Sequence, residues 1–147
     1  MKSASALFLV LFLCSCAADK KETTYDFTSQ FEKSEGTATA TYAQTIEFYT
    51  KLADTYTSIA MYTMGQTDSG KPLHLITFNP NRSFESEFSR DNKKNILLIN
   101  NGIHPGESDG IDASMMLMRD LATNKINTPK NTIIAVIPVY NIGGALN

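Results

Sequence analysis

Cysteine is nearly absent: the two in the chain, Cys14 and Cys16, fall within one early stretch. No disulfide framework is available to the rest, so a domain built from it must be held by packing. Histidine is as scarce, with only His74 and His104, and the helical zinc motif H-E-x-x-H does not occur. Charge of one sign is not in excess: 13 basic against 15 acidic residues leave a net charge of −2, with a pI near 5.6. That balance argues against a nucleic-acid partner or an anionic membrane surface. No apolar run reaches the roughly 20 residues that cross a bilayer, and no internal repeat is visible. What is present is an ordinary 42% hydrophobic content over 147 residues, enough for one domain with a packed core.

The first residues differ from the rest. "MKSASALFLVLFLCSC" has an early Lys2, an apolar run over residues 6–13 and small residues before Cys16. This is the make-up of a secretory signal segment, too short to span a membrane. The ending Leu13, Cys14, Ser15, Cys16 resembles the bacterial lipobox, whose last cysteine is lipidated and becomes the new N-terminus. The resemblance implies residues 1–15 as signal peptide, an acyl anchor on Cys16, and an exported lipoprotein tethered to a bacterial membrane, periplasmic or at the cell surface. Residues 16–40 then read as the lipidated cysteine and a polar tether, rich in Thr, Lys and Glu. Phe27 and Phe31, late in that tether, are placed to dock on the domain.

From Thr41, a plausible N-cap, Tyr42, Ile46, Tyr49, Leu52, Ala53, Tyr56 and Ile59 recur at three- and four-residue steps and predict a helix. Residues 58–78 predict a β-hairpin, turned at "DSGKP" with Gly70 free to take positive φ. Residues 79–94, with mixed charges and no period, read as a surface loop. Ile96, Leu97, Leu98 and Ile99 form a continuous apolar run, the pattern of a strand buried on both faces. Residues 111–122 carry a helical stripe of Ile111, Met115, Met118 and Leu121 or Ala122. Residues 133–139, "IIAVIPV", predict a second doubly buried strand with Pro138 near its end. Strand, helix, strand in that order gives a right-handed βαβ unit with parallel pairing. The fold class expected is α/β: three layers, with a mixed and mostly buried sheet covered by helices on both sides.

Chemistry concentrates where the first buried strand ends. "LLINNGIHPGESDG", residues 97–110, sets His104 three residues before Glu107, with Pro105 and Gly106 turning the chain between them. Ligand sites of open α/β sheets lie outside the carboxyl ends of strands. A neutral imidazole and a carboxylate are ligand types that catalytic zinc accepts, in sets of three with one open position. Taken alone, the same residues are also compatible with a plain turn that feeds a helix N-terminus.

The surroundings carry more. "TYAQTIEFYTKLADTYTS", then "MGQTDSGKPLHLITF" with its Gly–x–Thr–x–x–Gly–x–Pro–Leu hairpin, then "ILLINNGIHPGE" occur in that order. They resemble the zinc carboxypeptidases, the M14 peptidases, over residues 41–147. The resemblance implies that His104 and Glu107 are the first two ligands of a Zn2+ ion and that the substrate is a peptide losing its C-terminal residue. In that chemistry zinc polarises the scissile carbonyl and lowers the pKa of its bound water. It departs from the family's Asn–Pro–Asp/Asn–Gly loop, where this chain reads Asn141, Ile142, Gly143, Gly144. The family's third ligand, its carboxylate-binding Asn–Arg pair and second Arg, its Tyr and its general-base Glu have no matching position. The expectation is therefore the N-terminal part of such an enzyme's catalytic domain, inactive by itself, with an unpaired sheet edge prone to association.

Other candidates are weaker. His74, between Leu73 and Leu75 on a strand, reads as packed rather than ligating. Asn81–Arg82 precedes the H-x-x-E motif instead of following it, and reads as solvated. Met115, Met116 and Met118 read as core. Asp109 or a backbone carbonyl is a candidate to orient His104. Two alternative functions stay open: an amidase or deacylase of acyl-amino acids on the same fold, or a non-catalytic surface lipoprotein that binds peptide or glycan.

Overall fold

The computed structural model describes residues 25–80, 94–104 and 106–146. The signal segment, Cys16, Asn81 and Arg82 lie outside the described residues, as does most of the expected loop before the third strand. A short helix α1 (Gln30–Lys33) opens the fold, held by a reciprocal cap between Ser29 and Glu32. Helix α2 (Tyr42–Thr55) starts at the expected cap, Thr41, which accepts from the Gln44 amide while the Gln44 side chain returns to the Thr41 amide. Its buried face is Thr45, Phe48, Tyr49 and Leu52, rotated slightly from the anticipated stripe, so that Phe48 takes the place given to Ile46.

Strands β1 (Ile59–Gln66) and β2 (Pro72–Phe78) form the expected hairpin. A bulge between Thr63 and Gly65 interrupts it, and Gly70 turns it at φ +72°. Strand β3 (Asn95–Asn100), helix α3 (Asp109–Ala122) and strand β4 (Thr132–Ile137) complete the βαβ unit, and a short helix α4 (Ile142–Ala145) follows. β3 and β4 pair in parallel, Ile96 against Ile133 and Leu98 against Ala135. β2 and β4 pair antiparallel, Ile76 against Val136. The sheet is therefore mixed, in the order β1-β2-β4-β3, and the architecture is α/β as expected.

Alternation assigns the faces. Ile76 and Phe78 of β2 and Ile134 and Val136 of β4 join one core cluster with Phe48, Tyr49 and Leu52 of α2 and Met115, Met118 and Leu121 of α3. Leu75, Thr77, Ile133 and Ala135, on the opposite face, are buried as well. β4 is thus the doubly buried strand anticipated, and Pro138 falls one residue beyond it, where no ladder bond is lost.

The matching expectation for β3 is wrong. Ile96, Leu97 and Leu98 are all exposed, Leu98 by 55%. β3 is the last strand in the sheet order, paired only with β4, and among the described residues α2 and α3 pack over β1 and β2, so little covers either face of β3.

The N-terminal segment packs onto this frame. The Phe27 ring meets Phe48 edge-on at 5.6 Å and Tyr56 at 5.8 Å, whereas Phe31 remains exposed. Arg119 of α3 donates to the Phe27 carbonyl at 3.0 Å and to Glu32 Oε2 at 2.6 Å. That guanidinium holds the Glu32 carboxyl down to about 2. Buried Asp112 accepts from Thr39 Oγ1 at 2.5 Å and from the Ala40 amide at 3.4 Å. Two charged side chains of α3, Arg119 and Asp112, therefore tie residues 27–40 to the helix that follows the H-x-x-E motif.

Candidate metal centre

The motif sits at the carboxyl end of β3. Asn100 ends the strand, Gly102 turns the chain at φ +63°, and α3 begins at Asp109 with Ser108 as its N-cap. A Cβ on Gly102 would lie 3.1 Å from Val139 Cγ1 and 3.2 Å from its Cα. The turn therefore needs glycine for both its conformation and its fit. Beyond it, the Glu107 amide donates to the His104 carbonyl at 3.0 Å, which folds the four-residue motif back on itself.

This brings the two side chains together. His104 Nδ1 lies 3.3 Å from Glu107 Oε2, with side chains 72% and 75% exposed. Bonds of about 2.0–2.1 Å to a tetrahedral zinc separate two ligand atoms by about 3.3–3.4 Å. The observed spacing and the N/O donor set fit two adjacent positions on such an ion. An exposed ion pair of this kind contributes little to stability, so folding alone gives little reason for the arrangement.

The other sequence candidates are not brought here. His74 lies on β2 opposite Thr63, in a shallow pocket with Thr50, Ala53 and Asp54 of α2. Burial pushes its imidazole below the usual value, with a backbone hydrogen bond at Tyr62 acting the other way, and its Nδ1 has no hydrogen-bond partner among the described residues. Among the described residues no group of three or more His, Cys, Asp or Glu could hold a metal. Met115 and Met118 are core, as read from sequence. Among the described residues Asp109 makes no hydrogen bond or ion pair with His104.

Two features escaped the sequence reading. The loop after β4 returns to the site, with the Tyr140 and Asn141 amides donating to the Asn101 and Gly102 carbonyls at 2.8 and 2.9 Å. Asn141 Oδ1 accepts from the Gly144 amide at 3.0 Å and caps α4. Thus the loop that lacks the family's Pro and acid/amide positions still closes against the strand that bears the motif. The only sequence signal for this was the polar Asn–Asn–Gly at the end of an apolar strand.

A family model described as zinc carboxypeptidase matches residues 45–145. The chain belongs to the zinc carboxypeptidase family. No curated protein matches it closely enough to add to that. Among solved structures it is similar to carboxypeptidase A from Helicoverpa armigera, with a TM-score of 0.62 and 14% identity, over 73% of this chain and 25% of that one. It is also similar to thrombin activatable fibrinolysis inhibitor, with a TM-score of 0.58 and 15% identity, over 86% of this chain and 30% of the other. At such identities the likeness is one of fold. The chain spans between a quarter and a third of the length of these two structures.

Proposed function

We propose that this chain supplies part of the active site of a zinc-dependent metallocarboxypeptidase, with His104 and Glu107 as two of the metal's ligands. The observation that carries the reading is their 3.3 Å approach at the end of β3, within the stretch that matches the family. When bound, zinc supplies Lewis-acid polarisation of a peptide carbonyl and an acidified water. This chain's own part is to hold one imidazole nitrogen and one carboxylate oxygen at ligand spacing, on a rigid strand end, open to a substrate. The turn that spaces them is fixed by the hydrogen bond from the Glu107 amide to the His104 carbonyl.

Two ligands are one short of the three a catalytic zinc takes from protein. Residues 25–147 by themselves are therefore expected to retain zinc weakly and to turn over no substrate. The test is a full-length protein carrying Glu107→Gln, assayed for bound zinc and for release of a C-terminal amino acid from a peptide. Loss of both relative to the unsubstituted protein supports the reading. Full zinc and full turnover in the variant contradict it, and turnover on acyl-amino acids alone would favour the deacylase.

We also propose that Cys16 carries an acyl anchor and that the protein is exported, on the signal-like residues 1–16. Cys16→Ser should move the protein from the membrane to the soluble fraction. Unchanged fractionation counts against the anchor.

A further inference from the structure

The H-x-x-E turn is exposed, and what directs it lies at its two ends. At the far end the Ser108 carbonyl accepts from the Ile111 and Asp112 amides at 2.9 and 3.1 Å, which locks the start of α3. At the near end Asn101 is held on every side. Its amide donates to the Ile137 carbonyl at 3.1 Å, and its carbonyl accepts from Tyr140 at 2.8 Å. Its side-chain Nδ2 donates to Ser114 Oγ at 2.8 Å, a buried bond that reaches across the whole motif to α3.

That side chain occupies a space left by a missing atom. A Cβ on Gly110 would fall 2.8 Å from Asn101 Oδ1, closer than real Cβ atoms come. Gly110 is the second residue of α3, and glycine is a poorer helix former than alanine. Its φ is not in the left-handed region, so backbone conformation does not require it. A Cβ there would push the Asn101 carboxamide from the place where it bonds Ser114.

We infer that Asn101 is a positioning residue for the metal pair: seated over Gly110 and bonded to Ser114, it sets the angle between β3 and α3. His104 and Glu107 lie between these two elements, so that angle decides where they meet. Asn101 touches neither side chain and acts through the backbone. The inference rests on the zinc reading above for its ligand, but its geometry does not.

The experiment compares zinc affinity, by competition with a chromophoric chelator, in the full-length protein and in its Asn101→Ala, Gly110→Ala, double and Ile133→Ala variants. Ile133 is core and remote from the motif, so it reports a purely structural loss. Asn101→Ala and Gly110→Ala should each weaken zinc by about 3- to 30-fold, the range for residues that act without touching the ligand. The double variant should be no more than about 2-fold worse than the poorer single one, because both disrupt one contact. Ile133→Ala should lower the unfolding midpoint yet leave affinity unchanged. Asn101→Ala that loses stability while keeping zinc affinity within about 2-fold of wild type overturns the inference. If the wild type takes up no zinc, the zinc reading fails, and amide exchange decides the positioning separately. Faster exchange at Glu107 in Asn101→Ala supports it, and unchanged exchange there overturns it.

Discussion

β3 and β4 lie side by side, parallel and in register, and their sequences are nearly interchangeable: Ile–Leu–Leu–Ile against Ile–Ile–Ala–Val. Yet Ile133 through Val136 are all buried, while Ile96, Leu97 and Leu98 are exposed. The difference is owed to neighbours rather than to composition. β4 has β2 on one side and β3 on the other, and β3 has a partner on one side only. An apolar run states that a strand is suited to burial on both faces; it does not supply the cover. An exposed apolar edge is also a template for further pairing.

The sharpest way to break the comparison is to truncate matching positions. Ile133→Ala should cost about 2–5 kcal/mol, as for buried large-to-small changes, whereas Leu98→Ala should stay within about 1 kcal/mol. Urea unfolding of both variants checks it, and equal losses would mean that β3 is covered in solution. A contact between these extremes is the Arg119–Glu32 pair, whose side chains are 12% and 29% exposed. Glu32→Gln should cost about 1–2 kcal/mol. Its contribution has a defined sign in pH. The folded carboxyl sits near 2 against an ordinary 4.5, so the pair stabilises fully above 4.5 and loses its effect as pH falls toward 2. Acid unfolding curves of the two proteins should therefore converge in that window; curves that stay parallel would refute the pairing. The smallest effect on stability is expected from the double variant Leu97→Lys, Leu98→Lys, within about 0.5 kcal/mol. It should instead suppress self-association, read by light scattering, because charge on an edge strand opposes pairing. Unaltered association would exclude β3 as its seat.

Local rules carried much of the fold in advance. The Thr41 cap, the Gly70 turn, the stripe on α3 and the parallel βαβ unit each follow from a few adjacent residues. The exposure of β3 could not be read the same way, because it depends on strand order, a long-range property absent from any window. The candidate site could be proposed for a similar reason: the H-x-x-E spacing is local, and the upstream hairpin pointed to a family. What stayed hidden was the support beneath it. Asn101, Ser114 and Gly110 are spread over 14 residues, and Tyr140 and Asn141 arrive from beyond β4. Only the folded chain brings them together. Tyr49 shows a further limit: its stripe position was anticipated, but not a phenol fully buried without a partner among the described residues, which burial pushes well above its usual pKa.

The central claim is that the exposed histidine, not the packed one, faces a metal. Zinc affinity of the full-length protein should fall by about 10-fold or more in His104→Ala, while His74→Ala leaves it unchanged. An unaltered affinity in His104→Ala, or an equal loss in His74→Ala, would contradict the account.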